Sequence, residues 1–222
     1  MKKHFLFSLV AFIAASWSLF GQEEGMGGIP VDVFYLTPQM GQGTIYFKDK
    51  KPVSGSFTIC AVDNTIRYKD NKGTELAVGP EDNISMVTID NVPFRNLEGV
   101  FHRMYPINAD VSLAVRRDIT IMNDSHVASY GMESQTTAVT SYDGMNTEGK
   151  HYSYEESKSF PYRLTETVFL YKNGSLSRVS KKSLIKCFPE KKAEIEEWFR
   201  ANKKLDSGDI DIILPLCLQW AQ

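Results

Sequence analysis

A chain of 222 residues is long enough for one domain with a full hydrophobic core, or one domain plus an appendage. Its 25 basic and 27 acidic residues leave it slightly acidic, and basic pairs such as Lys181-Lys182, Lys191-Lys192 and Lys203-Lys204 are separated by apolar or acidic residues. A general nucleic-acid binder, which needs a concentrated basic face, is therefore excluded, as is a metal site of CxxC or Cys/His spacing.

The first residues have the layout of a leader. Lys2-Lys3-His4 is a short basic segment, residues 5–15 (FLFSLVAFIAA) are an apolar run too short to span a bilayer comfortably, and small residues follow. This predicts a signal peptide over residues 1–21, cut after Ser18 or after Gly21, the second leaving Gln22 as the new N-terminus. Its removal takes two lysines and no acid, moving the formal charge from −2 to −4. No cysteine stands near that boundary to carry a lipid, and no later apolar run is long enough to cross a membrane. The expectation is a soluble exported protein of the periplasm or extracellular space, without a transmembrane span.

Residues 22–28 are polar and Gly-rich, an arm ahead of the fold. Ile29-Pro30 then introduces residues 31–36 (VDVFYL), which read as a first strand. Residues 43–94 form a run in which apolar side chains recur at every second position, broken by Asp49-Lys50-Lys51-Pro52, Asp63-Asn64, Asp70-Asn71-Lys72-Gly73 and Gly79-Pro80. Asn, Asp and Gly tolerate the left-handed backbone of a tight turn, and Pro fixes φ without donating a ladder hydrogen bond. The pattern predicts an antiparallel meander, and residues 99–104 add another strand ended by Pro106.

Residues 111–121 are the most informative strand. Odd positions read Val111, Leu113, Val115, Arg117, Ile119 and Ile121, so one face is apolar except for Arg117. A buried guanidinium must be answered. Three answers compete: a β-bulge at Arg116-Arg117, an acidic partner in the sheet, or an anionic ligand.

Residues 125–159 are rich in Ser and Thr with weak alternation, a polar excursion of the kind on which binding surfaces are built. Tyr130 lies in it, and Tyr152 and Tyr154 share a face of a hairpin predicted over residues 150–155. With Arg117, these three tyrosines are the candidate ligand-binding residues. Residues 165–171 return to strand character, and Lys172-Asn173-Gly174 is the strongest hairpin turn in the chain.

Helix then takes over. Ser180 is an N-cap for residues 181–187, Pro189 starts a new helix or kinks the old one, and residues 190–203 place Ile195, Trp198 and Phe199 on one stripe. Residues 209–220 form a final apolar element containing Pro215. The fold expected is mainly β: an antiparallel meander sheet over residues 22–179, as a curved sheet or partial barrel, with a helical tail over residues 180–222 packed on it.

Cys60, Cys187 and Cys217 cannot all pair within the chain. A Cys187–Cys217 disulfide would staple the tail, whereas the apolar contexts TICAV, LIKCF and LPLCL favour three buried thiols.

The segment SLIKCFPEKKAEIEEWFRANK, with Tyr130-Gly131-Met132 and the opening from GTIYF to VDNTIRYKD, resembles uncharacterised signal-peptide-bearing exported proteins of Bacteroidota. The resemblance covers most of the chain after the leader and departs in the apolar tail after Asp209. It implies an envelope or exported protein and lends no activity, cofactor or catalytic residue.

The residues themselves offer no GxSxG elbow, no HExxH pattern and no phosphate-cradling glycine loop, so no catalytic residue, cofactor or metal is assigned. Two classes of function follow. One is a non-enzymatic exported module that binds a protein partner or a hydrophobic or anionic ligand on its curved sheet, with a lipid-carrier-like protein as one form. The other is a small exported hydrolase whose site assembles from scattered His102, His151 and Asp residues.

Overall fold

The computed structural model describes residues 23–25, 28–78, 83–121, 154, 161–203 and 207–222. The leader, Tyr130, Tyr152, His126, His151 and the hairpin expected over residues 150–155, save Tyr154, lie outside the described residues.

The expectation of a first strand at residues 31–36 is corrected. A short helix, α1 (Val31–Phe34), takes its place, with Val33 N–H and Phe34 N–H both donating to the Pro30 carbonyl. The physical reason is burial: Val33, Phe34 and Tyr35 are consecutive and all buried, which a strand, turning alternate side chains outward, does not provide. Pro30 suits this helix start because its fixed φ needs no amide donor there.

Among the described residues eleven strands follow one another as β1 (Glu23–Gly25), β2 (Gly41–Phe47), β3 (Val53–Ile59), β4 (Ile66–Lys69), β5 (Glu75–Val78), β6 (Ile84–Ile89), β7 (Val92–Leu97), β8 (Val100–Pro106), β9 (Val111–Ile121), β10 (Tyr162–Lys172) and β11 (Ser175–Arg178). Their order in the sheet is β1-β10-β9-β8-β7-β6-β2-β3-β4-β5, and β11 shares with β1 the outer edge of β10. All pairings are antiparallel. Two meanders, β2 to β5 and β6 to β10, are thus joined where β6 returns to pair with β2. Tight turns hold them in register: Asp90-Asn91, Glu98-Gly99 and Asn173-Gly174 each put two successive residues at positive φ, as hairpins of right-handed twist require.

The sheet curls without closing. Cα atoms of β3 and β6, on opposite sides of β2, come within 8 Å of each other, whereas two strand spacings of a flat sheet amount to about 9.5 Å. Gly43 permits this approach, since a Cβ there would lie 2.1 Å from the Thr88 carbonyl oxygen. Inside the curl, Ile45, Phe57, Ile59, Ile66, Ile84, Val87, Ile89, Phe94 and Phe101 form one buried cluster.

The C-terminal segment folds as α2 (Lys181–Cys187), a 3-10 turn (Pro189–Lys191), α3 (Lys192–Ala201) and α4 (Ile210–Trp220). Ser180 caps α2 through a reciprocal pair with Ser183, and the Asp209 carboxylate accepts from Asp211 N–H at the start of α4. Leu184, Phe188, Ile195, Ile213, Cys217 and Trp220 are buried against Val111, Leu113 and Val115 of β9 and Val168 and Leu170 of β10. A third cluster gathers Ile29, Val33, Phe34, Tyr35 and Cys60 over Ile119, Ile121 and Tyr162 at the other end of the same two strands. Cys60, Cys187 and Cys217 are free thiols.

Candidate functional site

Residues in the β2–β5 half of the curl line a concavity. Along β2 and β3, alternation turns Ile45 and Phe47, then Val53 and Phe57, to the inner side, while Gly43 and Gly55 face each other as register partners and contribute no side chain. A hairpin of β4 and β5 then brings Tyr68 and Val78 over the gap. The result is a half-open cavity of about 800 Å³ walled by Pro38, Met40, Ile45, Phe47, Phe57 and Val78, among others. That volume is in the range of sites that enclose a small organic ligand or a chain of one.

Polar side chains on the wall come from Tyr35, from Ser54, Ser56 and Thr58 of β3, from Tyr68 and Lys69 of β4 and from Glu75 of β5. Tyr35, at the end of α1, is 7% exposed, and its hydroxyl donates to Glu75 Oε1 at 3.2 Å. Burial, and then the neighbouring Glu75 carboxylate, push the Tyr35 hydroxyl well above the usual tyrosine range, so it stays protonated and donates. Thr58 Oγ1 donates to the Thr37 carbonyl at 2.6 Å. Behind this wall Arg67 and Asp63 form an ion pair with both side chains 6% exposed, which fixes the β3–β4 turn.

Arg117 is where the sequence places it, on the apolar face of β9, and of its three possible answers the structure selects the acidic partner. The β9–β10 register runs unbroken from Ile121↔Tyr162 to Val111↔Lys172, so no bulge turns it outward. Its Nε donates to Glu166 Oε1 at 2.8 Å and its Nη1 to the carbonyl of Asp32 at 2.6 Å, with the Tyr35 carbonyl at 3.5 Å. Arg117 therefore holds the end of α1, and through it the backbone of Tyr35; it does not line the cavity. Tyr154, half-buried, sets its ring 5.5 Å from that of Phe34 and 6.1 Å from that of Tyr35. Arg117 and Tyr154 thus meet around Tyr35, while Tyr130 and Tyr152 lie outside the described residues.

His102, the one histidine of the hydrolase alternative among the described residues, is buried on β8. Its Nδ1 bonds the Val100 carbonyl at 3.0 Å, and its Nε2 has no hydrogen-bond partner among the described residues. Burial holds it below the usual histidine value. No group of three His, Cys, Asp or Glu side chains among the described residues is arranged to hold a metal ion.

Sequence reasoning passed over Tyr35, Glu75 and the cavity wall as site residues. The signal present was the glycine content of β2 and β3, since glycine inside a strand marks a bend or a close approach.

Fold and site together define an open, curled antiparallel sheet with a helical cover on one half and a lateral apolar cavity in the other. Comparison of the chain with family models, with curated proteins and with solved structures gave no match in any of the three. No helix among the described residues is long and apolar enough to cross a membrane.

Proposed function

We propose that the protein is an exported, non-enzymatic envelope protein that binds an apolar ligand, of the class of a lipid acyl chain, in the curl of its sheet. The observation that carries this is the cavity of about 800 Å³, apolar on most of its wall with the Tyr35–Glu75 pair at one side. An acyl chain gains from every methylene removed from water, about 0.8 kcal/mol each, and needs only a few polar groups to set its orientation. Export is supported by the basic, apolar and small-residue layout of residues 1–21 and by the resemblance to exported Bacteroidota proteins.

Displacement of an environment-sensitive apolar fluorophore from delipidated protein by palmitic acid and by hexadecanol tests the binding. Saturable displacement is expected, and it should weaken in Met40→Trp and Val78→Phe, which fill the cavity from two half-buried positions. Absence of fluorophore uptake, or uptake unchanged in both variants, overturns the reading. For export, the intact mass of the protein from native envelope should lack residues 1–21, and a mass that retains them refutes the leader.

A further inference from the structure

We infer that the end of the sheet at which the cavity opens is a docking surface for a bilayer bearing anionic headgroups. This inference rests on the acyl-chain reading of the cavity and adds to it the place from which the chain is taken or to which it is given.

Antiparallel pairing puts the β2–β3 and β4–β5 turns at the same end of the sheet, because β2 and β4 run one way and β3 runs between them in the other. The first turn carries Lys48, Lys50 and Lys51, and the second is flanked by Lys69 and carries Lys72; all five are exposed. None of them forms an ion pair with a described residue. Of the acids of the same turns, Asp49 is exposed between Lys48 and Lys50, and the others are engaged. Asp70 accepts from the backbone N–H groups of Lys72 at 2.8 Å and Thr74 at 2.9 Å, and Glu75 accepts from Tyr35. Five ammonium groups are left facing solvent on a protein of net negative formal charge.

Apolar side chains stand among these lysines. Four large hydrophobic residues are exposed among the described residues, and two are here: Val53, 50% exposed, at the start of β3, and Leu76, 39% exposed, on β5. Lys50 lies over the ring of Phe47 at 5.8 Å from its centroid. Phe47, Val53, Lys69 and Glu75 all line the cavity, so its mouth is bordered by this same mixed surface. Lysines that reach headgroup phosphates while small apolar side chains enter the interface are the two components of peripheral membrane binding. A protein partner or a nucleic acid would not by itself call for exposed valine and leucine at the lip of an acyl-chain cavity.

The test is sedimentation of full-length mature protein with vesicles of phosphatidylcholine alone and of phosphatidylcholine mixed with phosphatidylglycerol. Wild type should partition onto the mixed vesicles, with salt weakening it, and leave phosphatidylcholine alone. Lys50→Gln/Lys51→Gln/Lys72→Gln should lower that partition by on the order of a hundredfold, through the loss of three lysine–headgroup interactions. Leu76→Ser, at a position outside the cavity wall, should lower it by about tenfold or less, through lost apolar contact. These positions are exposed, so melting curves should match wild type, and the fluorophore should still enter the cavity. Failure of wild type to bind mixed vesicles, equal binding to both kinds, or variants that bind as wild type does would overturn the docking surface. If the fluorophore enters while vesicles are ignored, only the docking surface falls. If vesicles bind while the fluorophore is excluded, the acyl-chain cavity falls and the docking surface loses its purpose.

Discussion

Arg117 and Glu166 are direct partners across the β9–β10 ladder, guanidinium Nε to carboxylate Oε1 at 2.8 Å, on a face otherwise given to apolar side chains. The pair stands at the seam between the tail-covered cluster and the one under α1. There the guanidinium also accounts for carbonyls that the end of a short helix leaves unsatisfied.

Arg117→Met should therefore be costlier than a surface change and milder than the breaking of a buried pair, since the side chains are 22% and 40% exposed. A loss of about 1–3 kcal/mol is expected, part of it from the stranded Asp32 carbonyl. Chemical denaturation of the single and double variants with Glu166→Gln measures the coupling. A neutral Arg117→Met would show that α1 holds its place without it.

The Asp63–Arg67 pair should respond more sharply, because neither side chain has water to fall back on. Arg67→Met leaves a buried carboxylate and should cost on the order of 3–5 kcal/mol. The same denaturation series reads this value, and a cost below that of Arg117→Met would reverse the ranking derived from burial.

His102 gives the fold a pH dependence. Burial, with a smaller contribution from the nearby Arg116, depresses its protonation, while the Val100 carbonyl, Asp118 and Glu98 oppose this. A group kept neutral in the fold and protonated near its ordinary value of 6.5 when unfolded stabilises the native state above that pH. The contribution is lost as pH falls from there through the depressed native value. Melting temperatures followed from about pH 8 to about pH 5 should fall more steeply for wild type than for His102→Leu. Parallel curves would assign the acid sensitivity to other groups.

The thiols should differ in reactivity. Burial pushes both Cys60 and Cys217 up to about 12, and Cys187, half-buried, is raised less. Alkylation of native protein by iodoacetamide at mildly alkaline pH should modify Cys187 first, with Cys60 and Cys217 labelled only after denaturation. Peptide mapping checks this, and early labelling of Cys60 would show that its cluster opens.

Truncation after Ser180 should leave no stable sheet. It removes Leu184, Phe188, Ile195, Ile213, Cys217 and Trp220 from the cover of β9 and β10. Each large apolar side chain is worth roughly 1.5–3 kcal/mol, against a net stability of about 5–15 kcal/mol for a whole domain. A soluble truncated protein with an unchanged melting transition would make the tail an independent unit.

What could be read from the residues was what they decide locally. Alternation gave residues 111–121 as the strand that β9 is, and the local residue types gave Asn173-Gly174 as the hairpin turn between β10 and β11 and Ser180 as a cap. The strand expected at residues 31–36 turned out to be helical because its alternation is only apparent: Val33, Phe34 and Tyr35 are all buried by elements far along the chain. The cavity was hidden for a related reason. Tyr35 and Glu75 are 40 residues apart, β2 meets β6 rather than β5, and the curl that joins them depends on a close backbone approach whose trace in the sequence is Gly43. Arg117 was conspicuous as a charge on an apolar face, but periodicity cannot tell a ligand from an acid on the neighbouring strand.

The strand order also governs the sequence of events in time. Ile29, Val33, Phe34 and Tyr35, early in the chain, find their buried neighbours in Ile119, Ile121 and Tyr162. Strand β9 in turn needs β10 and the helices that follow. Contacts of such long range form slowly, since a large loop must close before any of them is made. In a nascent chain the cluster from Ile45 to Phe101 is available early, whereas the cover of α1 must wait for β9 and β10. The helix α1 is thus among the first elements synthesised and among the last to find its buried neighbours.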